Sequence, residues 1–279
     1  MGAGPRTIVL VGATSGLGRQ AAVRLAADGH RLILAGRDPR RVRDLARELP
    51  RAHVIGADVA TAAGVDELAR QVSAATDRID TLVNNAGVMR PTRTVTAEGH
   101  ELNLAVHHLA PFSTTSRVLP LLRRGEGRIV NVNSEGHRSP MRGSGEVALD
   151  FDDLDSERGY DPFMAYSRSK LANLLFSYEL QARHPELTVV AVHPGLVRTR
   201  LGRDFPSLQV RLVHAFALSA RRGAEPVVRL ATGTVSAGRY YNRFAPVPSS
   251  PRSRDTAAAR RLWAVTEEVR GPFTQVGSR

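Results

Sequence analysis

Short apolar runs alternate with longer helical patterns along most of this chain. The runs are rich in valine, isoleucine and leucine, which is typical of strands buried on both faces of a parallel sheet. They predict strands at Thr7–Gly12, Arg31–Ala35, His53–Ala57, Ile79–Asn84, Arg128–Asn133 and Leu187–His193. The segments between them predict helices at Gly16–Asp28, Pro39–Leu49, Glu98–Arg123 and Pro162–Arg183. A further helix is predicted after the third strand and ends at about Ala75.

This alternation predicts the fold class. Strands followed by helices of about ten residues or more form βαβ units, which build a parallel sheet with helices on both faces. The chain has no internal repeat and no linker that would separate two domains, and its Pro246–Pro251 stretch predicts only a surface loop before a final helix. We therefore predict a single α/β domain over residues 1–279.

Composition limits the chemistry and the location of the protein. The chain has 279 residues, 42% of them hydrophobic, which is enough to bury a full core. It has no cysteine, which excludes disulfides, thiolate metal sites and cysteine nucleophiles. No apolar run approaches the roughly 18 residues of a membrane span, and the N-terminus carries a strand pattern instead of a secretion signal. We predict a cytoplasmic protein with no membrane partner and no metal site.

The net charge of +12 raises the question of a nucleic-acid partner. The arginines are spread along the chain, and aromatic residues make up only 5% of it, which leaves few stacking platforms for bases. We therefore predict no nucleic-acid partner, because a basic surface that attracts an anionic cofactor explains the charge.

A glycine-rich turn joins the first predicted strand to the first predicted helix. Its glycines permit a tight turn and a close approach of the backbone to a pyrophosphate, which is stabilised by the helix N-terminus. The strand before it and the helix after it are the context that this motif requires. The predicted contact residues of a dinucleotide are Gly12, Thr14, Ser15, Gly16, Leu17 and Gly18.

The end of the second strand bears on which dinucleotide binds. A carboxylate there would bind a ribose 2′-hydroxyl, whereas an arginine would bind a 2′-phosphate. The sequence is Gly36-Arg37-Asp38, with Arg37 in the first position after the strand. This favours NADP(H) over NAD(H), although an inward-facing Asp38 would favour NAD(H).

Lysine occurs once among the 39 basic residues, at Lys170, four residues after Tyr166. This spacing places both side chains on one face of a helix. An unperturbed tyrosine has a pKa near 10, and a nearby ammonium stabilises the phenolate and lowers that pKa. The pair therefore predicts a general acid and base, although a solvated lysine on a helix surface would show the same spacing.

The motifs resemble those of the short-chain dehydrogenase/reductase family. Gly12-x-x-x-Gly16-x-Gly18, Asn84-Asn85-Ala86-Gly87, Ser134, Tyr166-x-x-x-Lys170 and Pro194-Gly195 occur in the family's order, and the resemblance covers nearly the whole chain. The stretches LVNNAGVM, YSRSKLAN, VHPG and ARRLW are similar to the subgroup of retinol dehydrogenases and WW-domain oxidoreductases. The resemblance implies a Rossmann fold, with a doubly wound parallel sheet of about seven strands.

The resemblance also implies four catalytic positions. Tyr166 would transfer the proton, Lys170 would lower its pKa and bind the nicotinamide ribose, and Ser134 would bind the substrate oxygen. The fourth position holds His107 where the family has an asparagine that positions a relay water. This histidine would act as a titratable relay, weaken the relay or take no part in catalysis, and Asn103, one turn earlier, would partly substitute for it.

Further cofactor contacts follow from the same resemblance. Asp58 and Val59 match the position that contacts adenine, and the Asn84–Gly87 motif matches the segment that lines the adenosine ribose and stabilises the sheet. Pro194 and Gly195 match the stretch that passes the nicotinamide, and Thr199 would bond its carboxamide. His193 is predicted to be structural. From the Asn84–Gly87 motif and the stretch that begins at Pro194, the predicted cofactor contacts are Asn85, Ala86, Gly87, Pro194, Gly195 and Thr199.

The predicted function is hydride transfer between NADP(H) and a ketone, an aldehyde or a secondary alcohol. Segments 137–163 and 196–220 are predicted to form the substrate wall, because both mix apolar with basic residues. Two alternatives stay open: a non-redox epimerase, dehydratase or cyclase on the same scaffold, and a catalytically silent NADP(H)-binding regulatory protein. The family resemblance implies a homodimer or homotetramer formed through helices that include the one bearing Tyr166.

Overall fold

The computed structural model describes residues 4–140, 145–198, 205 and 217–273 of the chain. Its strands are β1 Thr7–Val11, β2 Arg31–Gly36, β3 His53–Gly56, β4 Thr81–Asn84, β5 Arg128–Val132, β6 Thr188–His193, β7 Arg239–Asn242 and β8 Ala245–Val247. Its helices are α1 Gly16–Ala27, α2 Pro39–Glu48, α3 Ala62–Ala75, α4 Leu102–Leu104, α5 Ala110–Arg124, α6 Pro162–Arg183, α7 Ala220–Thr232 and α8 Thr256–Arg270.

The described strands form one sheet in the order β3-β2-β1-β4-β5-β6-β7-β8. Each neighbouring pair is parallel except β7 and β8, which are antiparallel. The order reverses direction between β1 and β4, and in such sheets ligands bind beyond the carboxyl ends of the strands at this point. The predicted fold class, a single α/β domain with a doubly wound parallel sheet, is confirmed, with eight strands where about seven were predicted.

The apolar pattern of the sequence did not predict β7 and β8, the two strands at one end of the sheet. β7 is short and has exposed polar residues at both ends, Arg239 and Asn242. β8 contains Pro246, which cannot donate a backbone hydrogen bond and is therefore tolerated only at a sheet edge. Neither strand carries the continuous apolar run that marks a central parallel strand.

Helices cover both faces of the sheet, and the alternation of side chains along β1 shows how. Val9 and Val11 face one helix layer, in a core that includes residues of α3, α5 and α6. Ile8 and Leu10 face the other, in a core that includes residues of α1 and α7. Because every residue of β1 is buried, the strand reads as one apolar run.

The long helical segment predicted from Glu98 begins at Leu102. Glu101 ends the preceding turn, and its carboxylate accepts a hydrogen bond from the backbone N–H of Leu104 at 3.0 Å. Between α4 and α5 lies a π-helical turn, Ala105–Leu109, in which the N–H of Ala110 bonds to the carbonyl of Ala105. This turn contains His107, so the irregularity lies at a predicted site residue.

The C-terminal helix α8 packs against α6. Trp263 of α8 contacts Phe112 of α5 and Phe176 of α6, with ring centroids 5.1 and 6.1 Å away. Part of the surface through which the family resemblance implies assembly is therefore covered by the chain itself. Within the described ranges, no helix combines the length and apolar character needed to cross a membrane.

Candidate active site

One cleft of about 410 Å³ lies at the carboxyl ends of the central strands. The loops after β1, β2, β3, β4, β5 and β6 all contribute to it, together with α6 and the π-helical turn. Every predicted site residue within the described ranges lines this cleft, and Thr199 lies outside those ranges. The lining includes Gly12, Thr14, Ser15, Gly16, Leu17, Gly18, Arg37, Asp58, Val59, Asn85, Ala86, Gly87, His107, Ser134, Tyr166, Lys170, Pro194 and Gly195.

The glycine-rich turn leaves no room for a side chain at Gly12 or Gly18. Gly12 has a φ of +85°, and a Cβ there would lie 2.7 Å from the Cα of Ala86. A Cβ on Gly18 would lie 2.1 Å from the carbonyl oxygen of Gly12, which itself accepts a hydrogen bond from Asn85 Nδ2 at 2.8 Å. No side chain caps the start of α1 at Ser15. The turn therefore presents backbone N–H groups at a helix N-terminus, which suits a pyrophosphate.

The end of β2 favours arginine over a carboxylate in the cleft. A Cβ on Gly36 would lie 2.3 Å from Thr14 Cγ2, so an acidic side chain is excluded at that position. The Asp38 carboxylate instead caps α2 by accepting from the backbone N–H groups of Arg40 and Arg41, at 3.0 and 3.3 Å. The hydrogen bond from Arg41 is the largest cause of the lowered pKa of Asp38. Arg37, Asp38 and Arg41 all line the cleft, and the Asp38 carboxylate also pairs with Arg41, whose Nε lies 3.4 Å from Asp38 Oδ2.

Ser134, Tyr166 and Lys170 lie together in the cleft. Tyr166 and Lys170 occupy successive turns of α6, and the Lys170 Nζ is 5.8 Å from the centre of the Tyr166 ring. The Lys170 ammonium donates to the carbonyl of Val132 at 3.0 Å. The Ser134 hydroxyl, just after the end of β5, acts to lower the pKa of the Tyr166 phenol, and it accepts from the Gly136 N–H at 3.1 Å. The three polar groups therefore converge although they are separated by up to 36 positions in the chain.

The pKa values of Tyr166 and Lys170 differ from what the sequence predicted. Burial raises the pKa of the Tyr166 phenol, and the Ser134 hydroxyl offsets only part of that rise. Burial also lowers the pKa of Lys170 from 10.5 to about 7. The sequence predicted a phenol pKa lowered by the ammonium, but desolvation penalises both charged forms more strongly. The protein alone therefore keeps Tyr166 protonated at neutral pH.

Both ring nitrogens of His107 are occupied by neighbouring protein atoms. Its Nε2 accepts from the backbone N–H of Val88 at 3.1 Å. Its Nδ1 lies 2.7 Å from Ser169 Oγ, and that hydroxyl donates to the Tyr166 carbonyl at 2.6 Å. Since an amide N–H can only donate, the proton is on Nδ1 and the ring is neutral. Burial, followed by the charge of Lys170, lowers its pKa well below 6.5. His107 thus ties the loop after β4 to α6.

The π-helical turn around His107 follows from Pro111. A proline has no N–H, so the carbonyl of His107, four residues earlier, loses its usual helical partner. Asn173 Nδ2 of α6 donates to this carbonyl at 2.8 Å. Asn103, considered as a partial substitute for the relay, does not reach the cleft because its Nδ2 donates to Glu101 Oε1 at 2.7 Å.

A His107→Asn variant is expected to keep the pH profile of the wild-type enzyme. The asparagine carbonyl can accept from the Val88 N–H, and the histidine that it replaces is neutral, because burial and the charge of Lys170 lower its pKa well below 6.5. The measurement is kcat/KM against pH for both proteins. A limb of the pH profile that is present in the wild type and absent from the variant would show that His107 relays protons. His107→Phe, which lacks the acceptor, should lose about tenfold in kcat because the Val88 N–H is left unpaired.

Two buried amides, Asn133 and Asn173, hold the catalytic groups and were not predicted from the sequence. Asn133 Oδ1 accepts from the Ser134 N–H at 2.7 Å. Its Nδ2 donates to the carbonyl of Lys170 at 3.0 Å and to Asn173 Oδ1 at 2.8 Å. The only sequence signal was their position, directly before Ser134 and three residues after Lys170. His193 also lines the cleft, and burial lowers its pKa to about 4, so its ring is neutral.

The predicted substrate wall is placed differently by the structure. None of the described residues of segment 137–163 lines the cleft. Leu149 and Phe151 pack instead against a core that includes residues of α4, α6 and α8, around the buried Val147. The Glu101 N–H donates to Asp155 Oδ1 at 2.7 Å, which ties this stretch to the start of α4. Segment 196–220 does contribute, through Leu196 and Val197.

Comparisons with known proteins agree with this geometry. The profile of the short chain dehydrogenase family matches residues 6–145. A Streptomyces sp. (strain C5) protein described as a candidate daunorubicin C-13 ketoreductase, DnrU, is 35% identical over 275 residues, which cover 95% of this chain and 93% of that one. Retinol dehydrogenase 14 of Mus musculus is 35% identical over 295 residues, which cover 95% and 86%. The crystal structure of an uncharacterized protein from Mycobacterium Paratuberculosis superposes with a TM-score of 0.79 at 32% identity, covering 97% and 95%.

Proposed function

The chain belongs to the short-chain dehydrogenase family, and we propose that it uses NADPH to reduce a ketone or aldehyde, with Tyr166 as the proton donor. The resemblance inferred from the motifs is thereby confirmed, as is the assignment to the oxidoreductases. One observation carries the proposal: Ser134, Tyr166 and Lys170 converge in the same cleft as the glycine-rich turn. A cofactor bound along that turn would end beside the three catalytic groups.

The residues that line the cleft fit a nicotinamide dinucleotide. The N–H groups around Gly12 and Ser15 would bind the pyrophosphate, Arg37 and Arg41 would bind a 2′-phosphate, and Asp58 would flank the adenine. Pro194 and Gly195 would line the nicotinamide end, with Thr199 following them. The bound cofactor supplies the hydride in reduction and accepts it in the reverse direction.

The protonation states support carbonyl reduction. A phenol whose pKa is raised is protonated at neutral pH, which is the form that a general acid needs. The Ser134 hydroxyl would donate a hydrogen bond to the carbonyl oxygen of the substrate and hold it near the Tyr166 hydroxyl. The Lys170 ammonium would stabilise the phenolate that forms as the proton leaves. For alcohol oxidation the phenol would have to lose its proton first, against its raised pKa.

The walls of the cleft indicate an apolar substrate. Met89, Val106, Leu196 and Val197 line it, and Leu196 is 49% exposed at its edge. One relative is described as a daunorubicin C-13 ketoreductase and another as a retinol dehydrogenase. We propose a medium-sized apolar ketone or aldehyde as the substrate class. Cytoplasmic location, the absence of a nucleic-acid partner and a homo-oligomeric state remain predictions.

The direct test is a panel of apolar aldehydes and ketones incubated with the protein and NADPH or NADH. We expect loss of the absorbance of reduced nicotinamide, and a product alcohol in equal amount, with at least one carbonyl. Binding of NADPH without any turnover across the panel would favour a catalytically silent regulator. Conversion of a substrate without net oxidation of the cofactor would favour the epimerase, dehydratase or cyclase alternative.

Arg37→Ala and Arg41→Ala are each expected to raise the KM for NADPH by about tenfold and to leave the KM for NADH almost unchanged. Each variant removes a cation beside the site proposed for the 2′-phosphate, a group that NADH lacks. The matched control is Arg43→Ala, since Arg43 is an exposed arginine of α2 that does not line the cleft. Equal losses with both cofactors in the first two variants would contradict the NADP(H) preference.

A further inference from the structure

The turn after Ser134 contains another buried histidine, His137, which the proposed chemistry does not use. Its ring is 1% exposed. The Nδ1 atom lies 2.7 Å from the carbonyl oxygen of Ser134, and Nε2 lies 3.1 Å from the backbone nitrogen of Ser250. A carbonyl can only accept and an amide N–H can only donate, so Nδ1 carries the proton and Nε2 does not. His137 is therefore a neutral ring that bridges two backbone segments.

The surroundings of His137 keep it in this form. Burial is the largest cause of its lowered pKa, and the Arg138 cation adds to the effect, while Glu135 acts in the opposite direction. The ring of Tyr240 on β7 packs edge-on at 4.9 Å, and the Tyr240 hydroxyl donates to Glu135 Oε1 at 2.6 Å. His193, which also interacts electrostatically with His137, is itself neutral because burial lowers its pKa to about 4. The hydrogen bond to the Ser134 carbonyl and the Glu135 charge both raise the pKa of His137, but burial outweighs them, so the net pKa is lowered and the ring stays neutral.

The far side of this bridge is anchored to the catalytic helix. Ser250 belongs to a buried turn in which Ser253 Oγ donates to the carbonyl of Ser250 at 2.7 Å and also lies 2.7 Å from Ser249 Oγ. Ser249 Oγ in turn lies 2.7 Å from the hydroxyl of Tyr178, which is on α6. A continuous series of hydrogen bonds thus connects the Ser134 backbone to the helix that carries Tyr166.

We propose that His137 is a positioning residue, which fixes the Ser134 turn so that the serine hydroxyl points at the Tyr166 phenol. The backbone of Ser134 is held on the other side by Asn133, which accepts from its N–H, and the Gly136 N–H donates to its hydroxyl at 3.1 Å. His137 completes this support from the C-terminal part of the chain. The inference rests on the proposed function, because it assigns His137 a role through the catalytic serine.

The test is a double-mutant cycle between His137→Phe and Ser134→Ala. Phenylalanine fills the same space and removes both hydrogen bonds, so kcat for carbonyl reduction should fall by about 10- to 100-fold, as expected for a misplaced catalytic group. The dissociation constant of NADPH should stay within about twofold, because the glycine-rich turn is untouched. In the Ser134→Ala background, His137→Phe should cause no further loss of kcat. A loss of the same size in both backgrounds, or no loss in either, would overturn the proposal.

Two further variants separate positioning from general destabilisation. His137→Asn retains a donor for the Ser134 carbonyl and should lose only about threefold in kcat, again only when Ser134 is present. It also replaces His137→Phe in the cycle should that variant fail to fold. His108→Phe is the matched control, because His108 is equally buried and its Nε2 lies 2.7 Å from Thr266 Oγ1, away from Ser134. It should lower the melting temperature and leave kcat within about twofold; a loss of kcat equal to that of His137→Phe would refute a specific role for His137.

The outcome also distinguishes the inference from the proposed function. Wild-type turnover with additive losses in the cycle would reject the role of His137 alone. If the wild type turned over no carbonyl, the proposed function would fail, and hydrogen exchange of the amides in residues 134–138 would then decide the structural part. Faster exchange there in His137→Phe, with unchanged exchange in His108→Phe, would support the bridge, and unchanged exchange would reject it.

Discussion

Tyr166→Phe is expected to lower kcat for carbonyl reduction by about 10²- to 10⁴-fold, the range that general acid–base catalysis supplies. The variant removes one oxygen from a ring that is 5% exposed and leaves its packing against His107 intact. It removes the proposed proton donor and leaves the Ser134 hydroxyl in place. The affinity for NADPH should change little, because the glycine-rich turn and the arginines after β2 are untouched. Steady-state kinetics and a cofactor titration would measure both quantities.

The control for this variant is Tyr241→Phe. The Tyr241 hydroxyl accepts from the Ser236 N–H at 3.0 Å, so it is also a buried tyrosine with a structural hydrogen bond, but it lies outside the cleft. Its loss should reduce stability slightly and leave kcat within about twofold. If Tyr166→Phe retained near-wild-type turnover, the proton would have to come from another group, and the assigned mechanism would be wrong.

Lys170→Arg is expected to lower kcat by about a hundredfold or more although it keeps a positive charge. Lys170 is 5% exposed, and its compact ammonium donates a hydrogen bond to the Val132 carbonyl. A guanidinium is larger and planar, so it would displace its neighbours and would not place a compact charge beside the Tyr166 phenol. Since the pKa of Lys170 is about 7, wild-type reduction should also slow as the pH rises above that value and the ammonium is lost. Rate measurements against pH test both statements.

Lys170→Met tests the cost of burying the Lys170 ammonium. This variant should be inactive but more stable than the wild type. The folded-state pKa of about 7 lies below the ordinary value of 10.5. The folded chain therefore binds fewer protons than the unfolded chain between these pH values, and Lys170 makes the free energy of unfolding rise with pH across that range. Methionine removes the penalty of burying the ammonium and should flatten this dependence. A wild type whose stability did not rise with pH there, or a less stable Lys170→Met, would contradict the assigned burial cost.

The chain encodes its fold and the contents of its cleft in local patterns. Continuous apolar runs marked six of the strands, and the glycines of the first turn are required by contacts that a Cβ would violate. Tyr166 and Lys170 could be named because their spacing is a local property of the sequence, and Ser134 because it occurs in the order of motifs that resembles the family's. β7 and β8 could not be predicted from the sequence. β7 has only two buried residues, and β8 is a short edge strand that contains Pro246. The described residues of segment 137–163 do not line the cleft, because apolar composition does not tell whether a side chain faces a cleft or a core.

What the sequence by itself determined about this protein is which chemical groups are present and at which strand ends they lie. The tertiary structure decided their states. It made His107 a neutral tie between Val88 and Ser169 where the sequence left a titratable relay open, because both hydrogen-bond partners come from distant segments. It turned Asp38 into the cap of α2. It also raised the pKa of Tyr166 and lowered that of Lys170, since desolvation depends on everything packed around a group, and no spacing along the chain records that.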